Sequence, residues 1–209
     1  IGFAYGYSPS NYSSAFKKHH RLSPMEFRKG INTASVRHPF YPGKPARLQS
    51  FEEYNRRIEI QELKDFTVIY ERHIGNYREL GKNWCDFTAK YKVYVKEDTL
   101  FIERSYDDPS ITSVEQCLYD ICMTVDQDYP LDKDYPLDKV MTIPGGKFAV
   151  YRYDGAIQGI FAAFQGLFTV WLTDSGWEID DRYGLDIYRS VDQENMQVVM
   201  DLCLPVKSL

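Results

Sequence analysis

Two rounds of one hydrophobic pattern run through the chain beyond residue 55. From Ile58 to Leu63 and from Phe66 to Ile74, β-branched and aromatic residues dominate, as strands require, and Gly75 supplies the break. Tyr77, Leu80, Trp84, Phe87 and Tyr91 then recur at helical spacing, the apolar face of an amphipathic helix. Strand patterns follow at Thr99–Tyr106 and Glu115–Val125. The second round opens with a strand at Lys147–Tyr153, closed by Gly155. Its helix carries Ile160, Phe164, Leu167, Phe168, Trp171 and Leu172 on one broad stripe, and strands at Gly184–Arg189 and Met196–Val206 complete it.

The two rounds agree in detail. Arg72 and Gly75 answer to Arg152 and Gly155, and Tyr119-Asp120-Ile121-Cys122 answers to Met200-Asp201-Leu202-Cys203. This is the pattern of a duplicated strand–helix–strand–strand unit forming one α+β domain with pseudo-twofold symmetry. Such a duplication creates a cleft where its halves meet. Between the halves, Asp128-Tyr129-Pro130-Leu131-Asp132-Lys133 is repeated at once as residues 134–139, which reads as a loop insertion.

Ahead of the duplication the pattern changes. Ser8 followed by Pro9 is a helix start, with Tyr12, Ala15, Phe16 and His19 on one face and Ser10, Asn11, Ser13, Ser14 and Lys17 outward. Ser23-Pro24-Met25-Glu26 repeats the signal for a second short helix ending near Gly30. Residues 31–50, with Pro39, Pro42, Gly43 and Pro45, read as a stiff linker. The domain division expected is therefore 1–30, 31–50 and 51–209. The first residue is Ile1 rather than Met, which reads as a beginning partway through a longer protein.

Charge sharpens this division. Residues 1–47 hold eight basic side chains against the single acid Glu26, leaving 17 basic and 29 acidic residues beyond them, a balance of −12. The basic end suits phosphate contact, whereas the acidic remainder argues against nucleic acid and favours cationic partners. With 44% hydrophobic and 15% aromatic residues, the chain can line a cavity or fill a large core. The four cysteines (Cys85, Cys117, Cys122, Cys203) and four histidines form no metal-ligand spacing, so reduced core thiols in a cytoplasmic protein, with no metal and no cofactor, are expected. No apolar run approaches membrane-spanning length.

The stretch from Gly6 to Lys18 (Gly6-Tyr7-Ser8-Pro9-Ser10-Asn11-Tyr12-Ser13-Ser14-Ala15-Phe16-Lys17-Lys18), followed by Leu22-Ser23-Pro24-Met25-Glu26-Phe27-Arg28, resembles the end of the AraC/XylS helix-turn-helix DNA-binding domain. The resemblance implies that the helix from Pro9 enters a major groove, with Ser10, Asn11 and Ser14 near base edges and Lys17 near phosphate. It covers only a fragment of that domain. A recognition helix without its supporting helices does not hold groove-fitting geometry, so DNA binding is expected of a full-length parent and only weakly of this chain.

Residues 55–207 resemble the GyrI-like effector-binding family, which is attached to AraC-type regulators in Rob-like proteins. The resemblance rests on Arg72-His73-Ile74-Gly75-Asn76-Tyr77, Ser105-Tyr106-Asp107-Asp108-Pro109, Leu118-Tyr119-Asp120-Ile121-Cys122, Ile143-Pro144-Gly145-Gly146-Lys147-Phe148 and Leu202-Cys203-Leu204-Pro205-Val206. It implies a small-molecule effector as partner and an acid two residues before a tyrosine, facing a central cleft; the matching positions are Asp186 and Tyr188. Together with Tyr106, Trp84, Tyr119 and Trp171 they compose a candidate site for a lipophilic cation. For Trp84 and Trp171, packing on the helix stripes competes with a ligand role, and Asp107-Asp108 before Pro109 reads as a turn. Two alternatives remain open: a hydrolase using Asp186 as base with Tyr188 or Tyr106, or a module that binds a protein such as gyrase.

Overall fold

The computed structural model describes residues 6, 8–31, 35–36, 38–39, 46–75, 77–126 and 137–208. Helix α1 (Pro9–His20) starts where the serine-proline signal puts it: the Ser8 side chain accepts from Asn11 N. It stops at Arg21, which takes a left-handed φ of 64°. Helix α2 (Pro24–Ile31) opens with Ser23 and Glu26 bonded reciprocally, side chain to backbone. Phe16 and Phe27 meet edge-on at 5.3 Å and hold the two helices together. The expected linker contains a two-stranded pairing, β1 (Ser35–Val36) with β2 (Ala46–Arg47). Next comes the short helix α3 (Phe51–Asn55), capped by a reciprocal Ser50–Glu53 box. The duplicated hexapeptide falls largely outside the described residues.

The first half then runs β3 (Ile58–Leu63), β4 (Phe66–Ile74), a 3-10 turn (Tyr77–Glu79), α4 (Leu80–Tyr91), β5 (Phe101–Ser105) and β6 (Leu118–Thr124). The second runs β7 (Val140–Ile143), β8 (Gly146–Ala156), α5 (Ile160–Gly166), β9 (Trp177–Ile179), β10 (Leu185–Asp192) and β11 (Gln197–Ser208). Helix α5 continues as a π-helical turn at Leu167–Trp171 and a last helical turn, α6 (Leu172–Asp174). Gly75 breaks β4 at a φ of 132°. Gly155, expected to close a strand, lies inside β8, which extends to Ala156 and pairs there with Val198 of β11.

All strand pairings are antiparallel, and the sheet order is β3-β8-β11-β10-β5-β6-β4-β7, with β9 on β11. Read from its middle outward, this order is symmetric: β5 answers to β10, β6 to β11 and β4 to β8. The duplication is therefore a pseudo-twofold, with its axis between β5 and β10. The structure is the α+β fold that the hydrophobic pattern predicts.

Alternation along the strands sorts the core into three parts. On one face Ile69, Tyr119, Ile121 and Met123 pack under α4 with Phe87 and Tyr91. On the same face Ala149, Tyr151, Met200, Leu202 and Leu204 pack under α5 and the π turn with Leu167 and Trp171. The other face gathers Val68, Ile102, Cys122, Ile143, Phe148, Leu185 and Cys203 into one cluster without a helix. Ile143 and Phe148 come from opposite regions of the sheet order, so the sheet curls around this cluster.

Candidate functional site

The two helical cores leave a strip of sheet between them, formed by β5 and β10. Asp186 pairs with Glu103 across this ladder, and Tyr188 pairs with Phe101. Period-2 alternation turns Glu103, Ser105, Asp186 and Tyr188 to the helix-bearing face, because their neighbours Ile102, Leu185 and Ile187 belong to the curled inner cluster. Two carboxyl groups thus lie on directly opposed positions, where side chains are close enough to repel.

The walls are aromatic. Trp84 of α4 meets Tyr188 edge-on at 5.3 Å, and Tyr77 stacks on Tyr119 at 4.8 Å. The Tyr188 hydroxyl donates to Glu103 Oε2 at 3.0 Å, and the Tyr77 hydroxyl donates to Ser105 Oγ at 3.2 Å. Tyr119 is almost completely buried and accepts from Asn83 Nδ2 at 2.7 Å. From the second half, the Phe164 ring lies against Gly184, just before β10, where a Cβ would press on it.

Glu103 is 3% exposed, and Asp186 Oδ1 is sealed from solvent without a hydrogen-bond partner. Burial pushes the Glu103 carboxyl up, and its bonds from Tyr188 and Ser105 partly oppose this. Burial raises Asp186 well above the ordinary carboxylate range, with a further contribution from the Glu103 charge. Tyr188 is raised by burial and by both acids, and Tyr77 by burial and then Glu103. Every one of these shifts disfavours negative charge. Burial thus penalises the charged forms of both acids, a cost that a cation beside them would relieve.

Of the six residues singled out from the sequence, the structure brings together Asp186, Tyr188, Trp84 and Tyr119. It does not bring in Tyr106 or Trp171. Tyr106 lies one residue beyond Ser105 and so on the opposite face, where its ring packs under Arg72 and Arg104 and its hydroxyl meets Asp120. Trp171 is buried in the core under the π turn, its indole N–H donating to Asn55 Oδ1 at 3.1 Å. Sequence reasoning missed Glu103. The strand pattern placed it correctly, but nothing local shows that its partner across the ladder is Asp186. Asp108 makes the expected turn, accepting from Ser110 N, whereas Asp107 reaches across the loop to accept from Leu118 N at the start of β6. Asp108 also accepts from Gln165 of α5 at 2.8 Å, tying the two halves together. Two small surface cavities, about 160 and 210 Å³, lie elsewhere, beside Tyr94 and Asp126 and beside Glu53 and Arg57.

Cys117, Cys122 and Cys203 are buried, as expected of core thiols, but Cys85 lies exposed on α4 because it falls off the apolar stripe. Ser10, Asn11, Ser14 and Lys17 are all exposed on α1, a shared outer surface of that helix. Among the described residues no helix is long and apolar enough to cross a membrane, and no three His, Cys, Asp or Glu side chains cluster as metal ligands.

Comparison with known proteins bears on the same region. Over 136 residues the chain is 28% identical to the "SPbeta prophage-derived putative transcriptional regulator YosT" of Bacillus subtilis (strain 168), spanning 61% of this chain and 88% of that protein. The EcmrR C-terminal domain superposes with a TM-score of 0.59 at 12% identity, over 73% of this chain and 98% of that one. SAV2435 bound to tetraphenylphosphonium superposes with a TM-score of 0.50 at 15% identity, over 72% of this chain and 93% of that one. These two share the fold. The model of the GyrI-like small molecule binding domain matches residues 56–207, both halves of the duplication and the strip between them, and the chain belongs to that family.

Proposed function

We propose that the β5–β10 strip binds a lipophilic cationic effector, with Glu103 and Asp186 as counter-charge and Trp84, Tyr77 and Tyr188 as its aromatic enclosure. The observation that carries this reading is the directly opposed, buried Glu103–Asp186 pair, which no salt bridge to a basic side chain engages among the described residues. A protein gains no stability from two like charges under an aromatic wall, whereas a ligand cation gains from both acids and rings. The tetraphenylphosphonium held by SAV2435 supplies the ligand chemistry to try. Trp84 and Tyr188 occupy the middle of the strip, so the ligand enters by displacing them.

In the same proposal the chain is the effector-binding part of a DNA-binding regulator of the AraC/Rob-like kind. Residues 1–30 are then the end of its helix-turn-helix unit, residues 31–50 a linker and residues 51–209 the sensor. The exposed row Ser10, Asn11, Ser14 and Lys17 supports a DNA-facing α1; YosT is named a putative transcriptional regulator, and EcmrR, which shares the fold, is known in a complex with DNA.

The test is calorimetric titration of the whole chain with tetraphenylphosphonium and with neutral triphenylphosphine oxide. The cation should bind at least tenfold more tightly, and Glu103→Gln combined with Asp186→Asn should remove that preference. Equal affinity for the neutral compound would overturn the cation reading. Hydrolysis of a nitrophenyl ester that disappears in Asp186→Asn would replace it with the hydrolase alternative.

A further inference from the structure

We infer that a cation enters the β5–β10 strip only in exchange for a proton carried by the Glu103–Asp186 pair, so that effector binding is proton-coupled. The inference rests on the binding site proposed above and adds its regulation: the receptor is less sensitive in acid and more sensitive in alkali.

The geometry leads there. Glu103 and Asp186 oppose each other in register on adjacent strands and share a face. Glu103 has hydroxyl donors, Tyr188 at 3.0 Å and Ser105 at 3.5 Å, that support a carboxylate. Asp186 Oδ1 is equally enclosed and has no donor. Two buried like charges at neighbouring positions do not both persist, and the one without donors keeps the proton.

Among the described side chains, the surroundings offer no alternative counter-charge. From β10 and β6 come the hydroxyls of Tyr188 and Tyr119, from the 77–79 turn that of Tyr77, and from α4 the indole of Trp84. On α4 itself, Lys82 pairs with Asp86 and Lys90 with Glu71. Residues 160–171 contain no ionisable side chain. On β11 the register partner of Asp186 is Leu202. His73 stacks on Tyr119, and Arg104 and Arg72 are engaged by Asp120 on the opposite face. Cys122 and Cys203, also on that face, are held neutral by burial. A proton is therefore the resident cation. In the exchange the O–H bond of the protonated acid breaks, its electron pair stays on the carboxylate, the proton passes to solvent, and the ligand cation takes its place. Charge balances throughout.

Tetraphenylphosphonium is the probe, because it does not titrate. Its binding to the whole chain is measured by calorimetry at pH 7 in phosphate and in Tris, whose different ionisation heats report the protons released. The expected result is close to one proton per cation, with affinity rising towards a limit of about tenfold per pH unit while the exchange persists. Glu103→Gln with Asp186→Asn should release none and show a flat pH profile. A second measurement, on the ligand-free chain, is the infrared band of a protonated carboxyl at pH 7, present in the wild type and lost in Asp186→Asn. Tight cation binding with no proton release and no such band would overturn the inference while leaving the binding site standing. No cation binding between pH 6 and 9 would overturn both.

Discussion

Asp120 and Asp201 occupy matching places in the two halves of the sheet, each clasped by two arginines. Asp120 is bound by Arg72, its register partner on β4, and by Arg104 of β5. Asp201 is bound by Arg152, its register partner on β8, and by Arg189 of β10. The repeated arginine and aspartate in the sequence are thus one structural device used twice. Each carboxylate ties three neighbouring strands together on the face away from the helices.

The two devices differ in burial, and stability should follow. Asp120 is 0% exposed and the Arg104 side chain 12%, whereas Arg152 and Arg189 are 57% and 39% exposed. Asp120→Asn strands a nearly dry guanidinium and should cost ~3–5 kcal/mol, as for a broken buried pair. Asp201→Asn leaves arginines that water can reach and should cost distinctly less. Urea unfolding of both variants checks the order; equal losses would mean that burial of the arginines is irrelevant.

The acid pair makes a pH prediction of opposite character. Folding raises both Glu103 and Asp186 above their unfolded values. Their protonated forms therefore favour the native state. That contribution is complete below the unfolded carboxylate range near ~4 and is lost as pH climbs through the raised native values. Wild type should lose stability towards alkaline pH, and Asp186→Asn should unfold at higher urea than wild type at pH 8 with little difference at pH 5. A variant weaker at both pH values would show Asp186 to be a structural acid.

Ligand affinity should divide the aromatic residues. Asp186→Asn should weaken tetraphenylphosphonium binding by ~1.5–3 kcal/mol, the range of a hydrogen bond or contact to a charged group. Trp84→Ala should also weaken it. Tyr106→Phe, on the other face, should leave the dissociation constant unchanged. A loss in Tyr106→Phe as large as in Trp84→Ala would move the site to the arginine-bearing face.

Gly145 and Gly176 separate steric from conformational strain. A Cβ on Gly145 would fall on the Leu63 carbonyl and Lys64 backbone, where Asp65 Oδ1 accepts from Gly145 N at 2.7 Å and joins the β3–β4 turn to the β7–β8 turn. Gly176 has a φ of 75° and open space around it. Gly176→Ala should cost ~1–2 kcal/mol for the left-handed backbone, and Gly145→Ala more, through displacement of two turns. Thermal melts of the pair would contradict this if Gly145→Ala were the milder change.

The exposed row on α1 should give salt-sensitive DNA binding without sequence preference. Lys17 offers phosphate contact, but two helices alone do not fix α1 in a groove. Gel shifts at rising salt should lose the complex equally on any duplex. A sequence-selective complex at physiological salt would show that α1 and α2 carry their own recognition geometry.

How much of this was legible beforehand follows from the range of each interaction. Strands β3 and β4 begin and end where the alternation does, and α1 begins at its serine-proline cap, because period and caps are local. The repeat of Arg72 with Asp120 in Arg152 with Asp201 was visible as a spacing, and it became a pair of ion clasps. Short β7 and β9 were not legible, since Val140–Ile143 and Trp177–Ile179 take strand geometry only from β4 and β11. Helix α3 was not read either: its Ser50–Glu53 capping box is a local signal, but a five-residue helix offers too little periodicity to accompany it. The site shows the same limit more sharply. Asp186, Tyr188 and Trp84 could be singled out along the chain, yet Tyr106 and Trp171 are equally aromatic and lie elsewhere. Which face a side chain takes depends on parity along its strand, and which acid it meets depends on the register of β5 against β10. That register joins residues 83 positions apart, Glu103 and Asp186, and is set only when two helical cores and one curled inner face are satisfied together.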